Sequence, residues 1–483
     1  MSGDRYEMVV GLEVHVQLLT RTKAFCNCST GFGAPPNLHT CPVCLGLPGA
    51  LPVLNATAVR LAARAAIALE CVVEEVSAFA RKNYFYPDLP KGYQITQYDR
   101  PLAKGGHLSI GRNKDGTPVR IGITRVHIEE DAGKSLHDRY PGATAIDLNR
   151  AGVPLIEIVS EPDIRSSLEA GAYLGTLKQI LEYVRVSDVS MEEGSLRVDA
   201  NISTRLRGDV ELGTKTEIKN LNSFSAVERA LDAEFARQCA ILERGEKVTQ
   251  QTMLWDASRL EVRPSRVKEG SHDYRYFPDP DLLPLVLDKT WIGEVKQEMP
   301  ELPAARQERL AATYGLAEAQ IADLAANPDR SDYFEAVARA HGEPRTAANW
   351  VLGEVLAVLN ETKQRIEHFP VRPADLARLL DMIRDGLVSH SAAKRIFVRM
   401  VDTGDRPEQI AEREGLLQVG DDAALLAWID AVLAEHPEES QRFAAGERKL
   451  QGVLVGLVMK RSGGRADPRR VNQLLASRAG AGT

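Results

Sequence analysis

The feature that most constrains this chain is a change of hydrophobic period near residue 290. Before that point apolar and polar residues alternate in segments 8–18, 119–128, 196–203 and 214–219, the period of half-buried strands. Between residues 278 and 303 stand five prolines, Pro278, Pro280, Pro284, Pro300 and Pro303. Beyond them the spacing becomes helical and alanine-rich, with stripes at Leu352, Val355, Leu356 and Leu359 and at Leu376, Leu379, Leu380 and Ile383, the second ending at Gly386. Proline interrupts strand and helix alike. An α+β fold is therefore expected: a mixed or antiparallel sheet domain, an all-α helical domain, and a small α-helical tail. Helices are expected within the sheet domain at Ala58–Leu69 and Leu168–Tyr183, the latter capped by Ser166 and Ser167. A further break at Thr403 to Pro407 sets off the tail, where Asp467-Pro468 reads as a helix start. At roughly 100–200 residues per domain, the 483 residues divide as 1–292, 293–405 and 406–483.

Composition places the chain among globular proteins, with 44% hydrophobic and 26% charged residues. Nowhere do about 18 apolar residues run together, and the start, MSGDRYEMVV, lacks a basic, then apolar leader. A cytoplasmic protein with no membrane segment is expected. The net charge of −7 argues against indiscriminate nucleic-acid binding, yet residues 441–483 hold nine Lys or Arg against two Asp or Glu. Such a module can engage phosphates locally by releasing counterions; a merely solubilising tail has the same composition.

Four of the six cysteines form two close pairs, Cys26-x-Cys28 and Cys41-Pro-Val-Cys44, separated by twelve residues. Paired short spacings let each pair grip one side of a tetrahedral ion, and thiolates suit zinc. Disulfides are the poorer explanation in a cytosolic chain. Four thiolates close the coordination shell, so this zinc is expected to be structural; His39 is an alternative ligand. Cys71 and Cys239 read as buried apolar residues.

In GLEVHVQL, residues 11–18, Glu13, His15 and Gln17 share one strand face. LRVDANIS (196–203) and TKTEIK (214–219) add Asp199 and Glu217, and acids recur in IEEDAGK (128–134), LIEIVSEPD (155–163) and MEEGS (191–195). Glu157 interrupts the apolar run Leu155, Ile156, Ile158, Val159, where a buried charge needs a partner. Oxygen ligands from several strands plus one imidazole suit magnesium carrying nucleotide phosphates. Each acid taken singly is as well explained by a solvated face. Gly133-Lys134-Ser135 resembles the end of a P-loop, but Ile128 stands where that motif needs glycine. RKNYFYPDLPKGYQ (81–94) and its echo DYRYFPDPD (273–281) mix cations with aromatics, which can stack on bases and hold phosphates or pin loops to a core.

The ordered motifs GLEVHVQL, RKNYFYPDLPKGYQ, HIEEDAGKS, DLNRAGVPLIEIVSEPDIRS, MEEGSLRVDANIS, GTKTEIKNLNSF and KEGSHDYRYFPDPDLLP resemble the B subunits of bacterial glutamyl/aspartyl-tRNA amidotransferases nearly end to end, including a YqeY-like tail ending in VNQLL. The resemblance implies a cradle-shaped sheet domain, a helical domain and a tRNA-binding tail. It also implies ATP-dependent conversion of Glu-tRNA(Gln) or Asp-tRNA(Asn) to the amidated forms. In that reaction the side-chain carboxylate is phosphorylated and then attacked by ammonia from an amidase A subunit, with a small C subunit completing a heterotrimer. The cognate non-discriminating aminoacyl-tRNA synthetase is an optional further partner. By the same resemblance His15, Glu130 and Glu157 match magnesium ligands with Glu13 beside them, and Lys82, Asp199 and Glu217 match positions near the exit of the ammonia route. The four cysteines match a zinc knuckle found in many but not all members. The implied cofactors are ATP, Mg2+ and structural Zn2+.

Two other readings compete. A zinc deaminase has H-x-E and P-C-x-x-C motifs, but Glu13-Val-His15 reverses the first and four cysteines would shut its catalytic position. A non-catalytic, zinc-stabilised tRNA adapter explains the basic tail and leaves Glu157 without a reason. Which mischarged tRNA is used is not legible in the residues.

Overall fold

A computed structural model of the chain describes residues 5–112, 116–265, 274–419 and 421–480. Residues 268–273, which open the last of the quoted motifs, lie outside them. The chain forms two compact units, Met1–Pro303 and Ala304–Thr483.

The first unit is built on a twelve-stranded sheet. In chain order its strands are β1 (Tyr6–Gln17), β2 (Val72–Val73), β3 (Ala80–Asn83), β4 (Tyr93–Thr96), β5 (Ala103–Arg112), β6 (Pro118–Glu130), β7 (Pro154–Ser160), β8 (Leu196–Leu206), β9 (Thr216–Leu221), β10 (Thr252–Asp256), β11 (Glu261–Pro264) and β12 (Phe277–Pro278). The spatial order is β11-β10-β9-β8-β1-β7-β6-β4-β3-β12, with β5 paired to β6 and β2 to β5. Among the described residues every pairing of this sheet is antiparallel except β9 with β10. The expected mixed sheet is present, with β1 at its centre.

Alternation explains that central position. Leu12, Val14 and Val16 are fully buried, while Glu13, His15 and Gln17 keep partial access on the other face. The apolar face joins one core with α1 (Ala56–Ala68), α2 (Ser167–Tyr183) and α3 (Phe224–Glu243). Asn55 caps α1 by accepting from the Thr57 and Ala58 amides at 2.9 and 3.3 Å. Ser166 caps α2 through the Glu169 amide at 3.2 Å, and Glu169 accepts in return from the Arg165 amide, so Ser167 is the first helical residue rather than a cap.

The proline-marked break is later than its first proline suggests. The helix Lys289–Gln297 spans residue 292, and its Trp291 and Ile292 pack on the core of the first unit. In the second unit one core runs from Leu310 to Leu416 and another from Leu425 to Leu475. The helix Pro407–Arg413, expected to open the tail, gives Ile410 and Ala411 to the earlier core. Helix Pro373–Arg384 is followed by Gly386 at φ +70°, and Asp467 accepts from the Arg469 and Arg470 amides at the start of Pro468–Gly480. No helix among the described residues is long and apolar enough to cross a membrane.

Candidate functional site

Register on the polar face decides which side chains meet. Across β1 and β7, His15 lies opposite Glu157, and across β7 and β6 Glu157 lies opposite His127 while Leu155 lies opposite Glu129. Antiparallel neighbours directly opposite one another share a face. His15, His127, Glu129 and Glu157 therefore converge. His15 Nδ1 is 3.1 Å from Glu129 Oε1 and 3.9 Å from Glu157 Oε2, and His127 Nε2 is 3.4 Å from Glu157 Oε2 and 3.7 Å from Glu129 Oε2. Ligand atoms of His15, Glu129 and Glu157 all lie within 4.8 Å of one another. Glu157 is 7% exposed and Glu129 3%; the partners demanded by a buried Glu157 are the two imidazoles, with Arg125 at 3.8 Å.

Glu130, expected beside His15 and Glu157, lies on the opposite face. On β6 the odd positions Arg125, His127 and Glu129 face the polar side, so Glu130 points the other way. There Glu130 is ion-paired with Lys91, accepts from the Ile95 amide at 2.9 Å, and helps line a cavity of about 170 Å³ with Phe25, Cys26, Cys44 and Gly152. Glu129 stands beside His15 and Glu157 instead. Following the alternation of TRVHIEE two residues past His127 would have identified it.

A second cluster adjoins the first. On β1 and β8 Glu13 lies opposite Asp199, and ligand atoms of Glu13, Asp199 and Glu217 lie within 4.8 Å of one another. Lys219 joins two of these acids, its Nζ 2.7 Å from Asp199 Oδ2 and 2.9 Å from Glu217 Oε1. Asn201 Nδ2 donates to Glu13 at 3.0 Å. Lys82, expected beside Asp199 and Glu217, instead has its ammonium 4.8 Å above the Tyr274 ring. The fields it feels come from Tyr276, Glu129, Tyr274 and Glu157. The lysine of the acidic pair is Lys219, which period-two spacing in TKTEIK already placed on the face of Glu217.

Electrostatics follow from this packing. Burial works against a charged His127, but hydrogen bonds to Glu129 and Glu157 outweigh it and raise its pKa to about 9. Burial likewise opposes charge on His15, and the bond to Glu129 outweighs it, so His15 is also raised. The carboxyls of Glu129 and Glu157 are held low despite burial by the imidazoles. Glu13 is pushed up, first by burial and then by the Glu157 and Glu217 carboxylates, which together outweigh the opposing field of His15. Lys219 is raised because the two acids outweigh its burial. Carboxylate oxygens gathered around an imidazole nitrogen form a donor set that a hard divalent cation accepts by displacing the imidazole proton. At the edge of the face, Asp131 receives a bidentate pair from Arg197, 2.8 and 2.9 Å, and Gln17 Nε2 at 2.8 Å.

The two aromatic-cationic segments, alike in sequence, are strand partners. Phe277 of β12 lies opposite Arg81 of β3. Arg81 stacks 4.2 Å from the Tyr93 ring and bonds Asp279 and Asp281. Tyr98 and Tyr276 are stacked with ring centres 4.0 Å apart, and Tyr98 is 53% exposed.

On the other side of β6, Cys26, Cys28, Cys41 and Cys44 bring four sulfurs within 4.8 Å of one another. Gly46 makes the loop possible. Its φ is +67°, and a Cβ there would lie 2.5 Å from Lys91 Cγ. The Cys44 thiol is held low, first by a hydrogen bond from Cys26 and also by the nearby Lys23 ammonium. His39 is absent from the cluster; its amide donates to Asn149 Oδ1 at 2.8 Å. The donor set suits zinc and leaves no open position.

Comparison with known proteins bears on the chain as a whole. Residues 8–293 match the family model described as the GatB/GatE catalytic domain, and residues 332–478 match the one described as the GatB domain. The B subunit of the aspartyl/glutamyl-tRNA(Asn/Gln) amidotransferase of Carboxydothermus hydrogenoformans is 50% identical over 97% of this chain and 98% of its own. Its namesake in Moorella thermoacetica is 51% identical over 98% and 99%, and that of Thermosynechococcus vestitus 51% over 99% and 97%. Relatives half identical over nearly their whole length leave one conclusion: the chain belongs to the family of amidotransferase B subunits.

Proposed function

We propose that this chain is the subunit that activates and amidates mischarged aminoacyl-tRNA, Glu-tRNA(Gln) or Asp-tRNA(Asn), using ATP and ammonia. The observation that carries the reading is the adjacency of two acidic clusters of different character on one polar sheet face. Glu129 and Glu157 are held ionised by imidazoles, whereas Glu13, Asp199 and Glu217 surround an ammonium.

The first cluster suits phosphorylation. His15, Glu129 and Glu157 would hold a magnesium ion, whose charge steadies the phosphates of ATP. Lys82 and Arg125, facing the same carboxylates, offer positive charge to the transferring phosphoryl group. Such transfer needs mainly positioning and charge stabilisation from protein. The substrate's side-chain carboxylate oxygen bonds the γ-phosphorus, ADP leaves, and an acyl phosphate remains.

The second cluster suits amidation. Ammonia attacks the acyl carbon only as the neutral base, so protons must be taken from ammonium. Asp199 and Glu217, held in place by Lys219, and Glu13 are placed to accept them. Inorganic phosphate then leaves and the amide remains. The ammonia would come from glutamine hydrolysed by an amidase A subunit, with a small C subunit in the assembly, and the four cysteines would hold one structural zinc. The adapter reading gives no account of either cluster.

The test is reconstitution with an amidase partner, glutamine, ATP, Mg2+ and mischarged tRNA. Formation of Gln-tRNA or Asn-tRNA is expected, with ATP hydrolysis dependent on that tRNA. tRNA binding without ATP turnover would favour the adapter.

A further inference from the structure

Lys23 has no exposed surface. A fully buried ammonium is rare unless a negative charge accompanies it, because leaving water costs far more than neutral hydrogen bonds return. Its Nζ donates to the carbonyl oxygens of His39 at 2.6 Å and Leu148 at 3.3 Å, and Cys44 Sγ lies 3.7 Å away. The two carbonyls satisfy donors and leave the charge uncompensated. Among the described residues no carboxylate comes within 4.0 Å of it; the nearby Glu130 is taken by Lys91.

The backbone fixes this arrangement from both sides. The Lys23 amide donates to the Cys28 carbonyl at 3.0 Å, and the Lys23 carbonyl accepts from Asn55 Nδ2 at 3.2 Å. Gly152, at φ +87°, packs against the same pair: a Cβ there would lie in ordinary van der Waals contact, 3.4 Å from Lys23 Cδ and 3.5 Å from Cys44 Cβ. One ammonium thus touches the cysteine loop at His39 and Cys44 and the body of the unit at Leu148.

We propose that Lys23 is a positioning and charge-balancing residue of the four-cysteine centre, offsetting the surplus negative charge of four thiolates around a dication and donating to the Cys44 sulfur. This rests on the reading of the cluster as a zinc site. Four thiolates on Zn2+ carry a net charge of two negative, and a buried cation in van der Waals reach halves it. Partners that steady a ligand in this way change metal affinity by about 10- to 100-fold when removed.

The experiment follows zinc release from the full chain to a chromophoric chelator, in wild type, Lys23→Met and Lys23→Arg. Methionine fills similar space without charge. Lys23→Met is expected to release zinc at least about tenfold faster, and Lys23→Arg to restore most of the difference. In the cobalt-substituted protein the thiolate-to-metal band should move to longer wavelength in Lys23→Met, because removing a nearby positive charge raises the sulfur donor level. Should Lys23→Met not fold, Lys23→Gln carries the same comparison. Release within twofold of wild type with an unmoved cobalt band overturns the role of Lys23 and leaves the zinc site standing. Lys23→Arg releasing zinc as fast as Lys23→Met overturns the charge-balancing role. Wild-type protein that retains no zinc overturns both readings.

Discussion

Glu129 and Glu130 are adjacent in sequence and face opposite ways, so replacing each by glutamine separates the two sides of the sheet. Glu129 is 4% exposed at its side chain and lies 3.1 Å from His15, in a setting where water screens little. Losing one preorganised charge there costs about 3–4 kcal/mol of transition-state stabilisation, hence about a hundredfold to a thousandfold in rate. Glu129→Gln should therefore abolish most tRNA-dependent ATP hydrolysis in the reconstituted enzyme and raise its Mg2+ requirement. Glutamine hydrolysis by the partner should persist. Glu130→Gln should behave otherwise. It retains an acceptor for the Ile95 amide but leaves Lys91, 7% exposed at its side chain, as an unpaired buried cation, a loss of about 3 kcal/mol in stability. Its turnover, measured below the midpoint of unfolding, should stay within a few fold of wild type. Near-normal ATP hydrolysis in Glu129→Gln, with collapse in a Glu130→Gln protein of unchanged melting temperature, would refute the register argument.

Lys219→Met should uncouple the two steps: tRNA-dependent ATP hydrolysis survives, while amide formed per ATP consumed falls by about tenfold, because Asp199 and Glu217 lose the ammonium that orders them. In the terminal module, Arg442, Arg461, Arg470 and Arg478 are ion-paired within the module. Arg448, Lys449, Lys460 and Arg469 have no ion pair among the described residues. Replacing those four by glutamine should raise the KM for aminoacyl-tRNA and flatten its salt dependence, with glutamine hydrolysis unmoved. In the helical core Glu335 is held below its ordinary pKa: burial opposes its charge, but Arg309 at 3.1 Å and Tyr314 at 3.2 Å outweigh it. A lowered carboxylate stabilises the fold above its unfolded pKa of 4.5 and loses that contribution as pH falls through the folded value. Glu335→Gln should therefore speed hydrogen exchange in Pro328–His341 at pH 7, by an opening cost about 1–2 kcal/mol smaller, and the difference should shrink as pH falls from 4.5 through the lowered folded value.

The period change fixed the class of each half of the chain, because burial on one face of a strand or helix is a local pattern. Alternation in GLEVHVQL placed Glu13, His15 and Gln17 together for the same reason, and cysteine spacing gathered four sulfurs because short loops have little freedom. Boundaries were less legible. Lys289–Gln297 follows several prolines yet packs backward, since a helix joins whichever core accepts its apolar stripe. The basic surplus of residues 441–483 was also incomplete. Residues 421–483 hold nine cations and eight acids, and helix Asp422–Glu435 supplies three of the partners. Tertiary structure alone decided which acids converge. Register between β1, β7 and β6 brought Glu129 to His15 and Glu157, the pairing of β3 with β12 carried Lys82 to the first cluster, and the folding of β9 beside β8 gave Asp199 to Lys219. These pairings join residues far apart in the chain, and sequence periodicity specifies a face of each strand without saying which strand lies next to it.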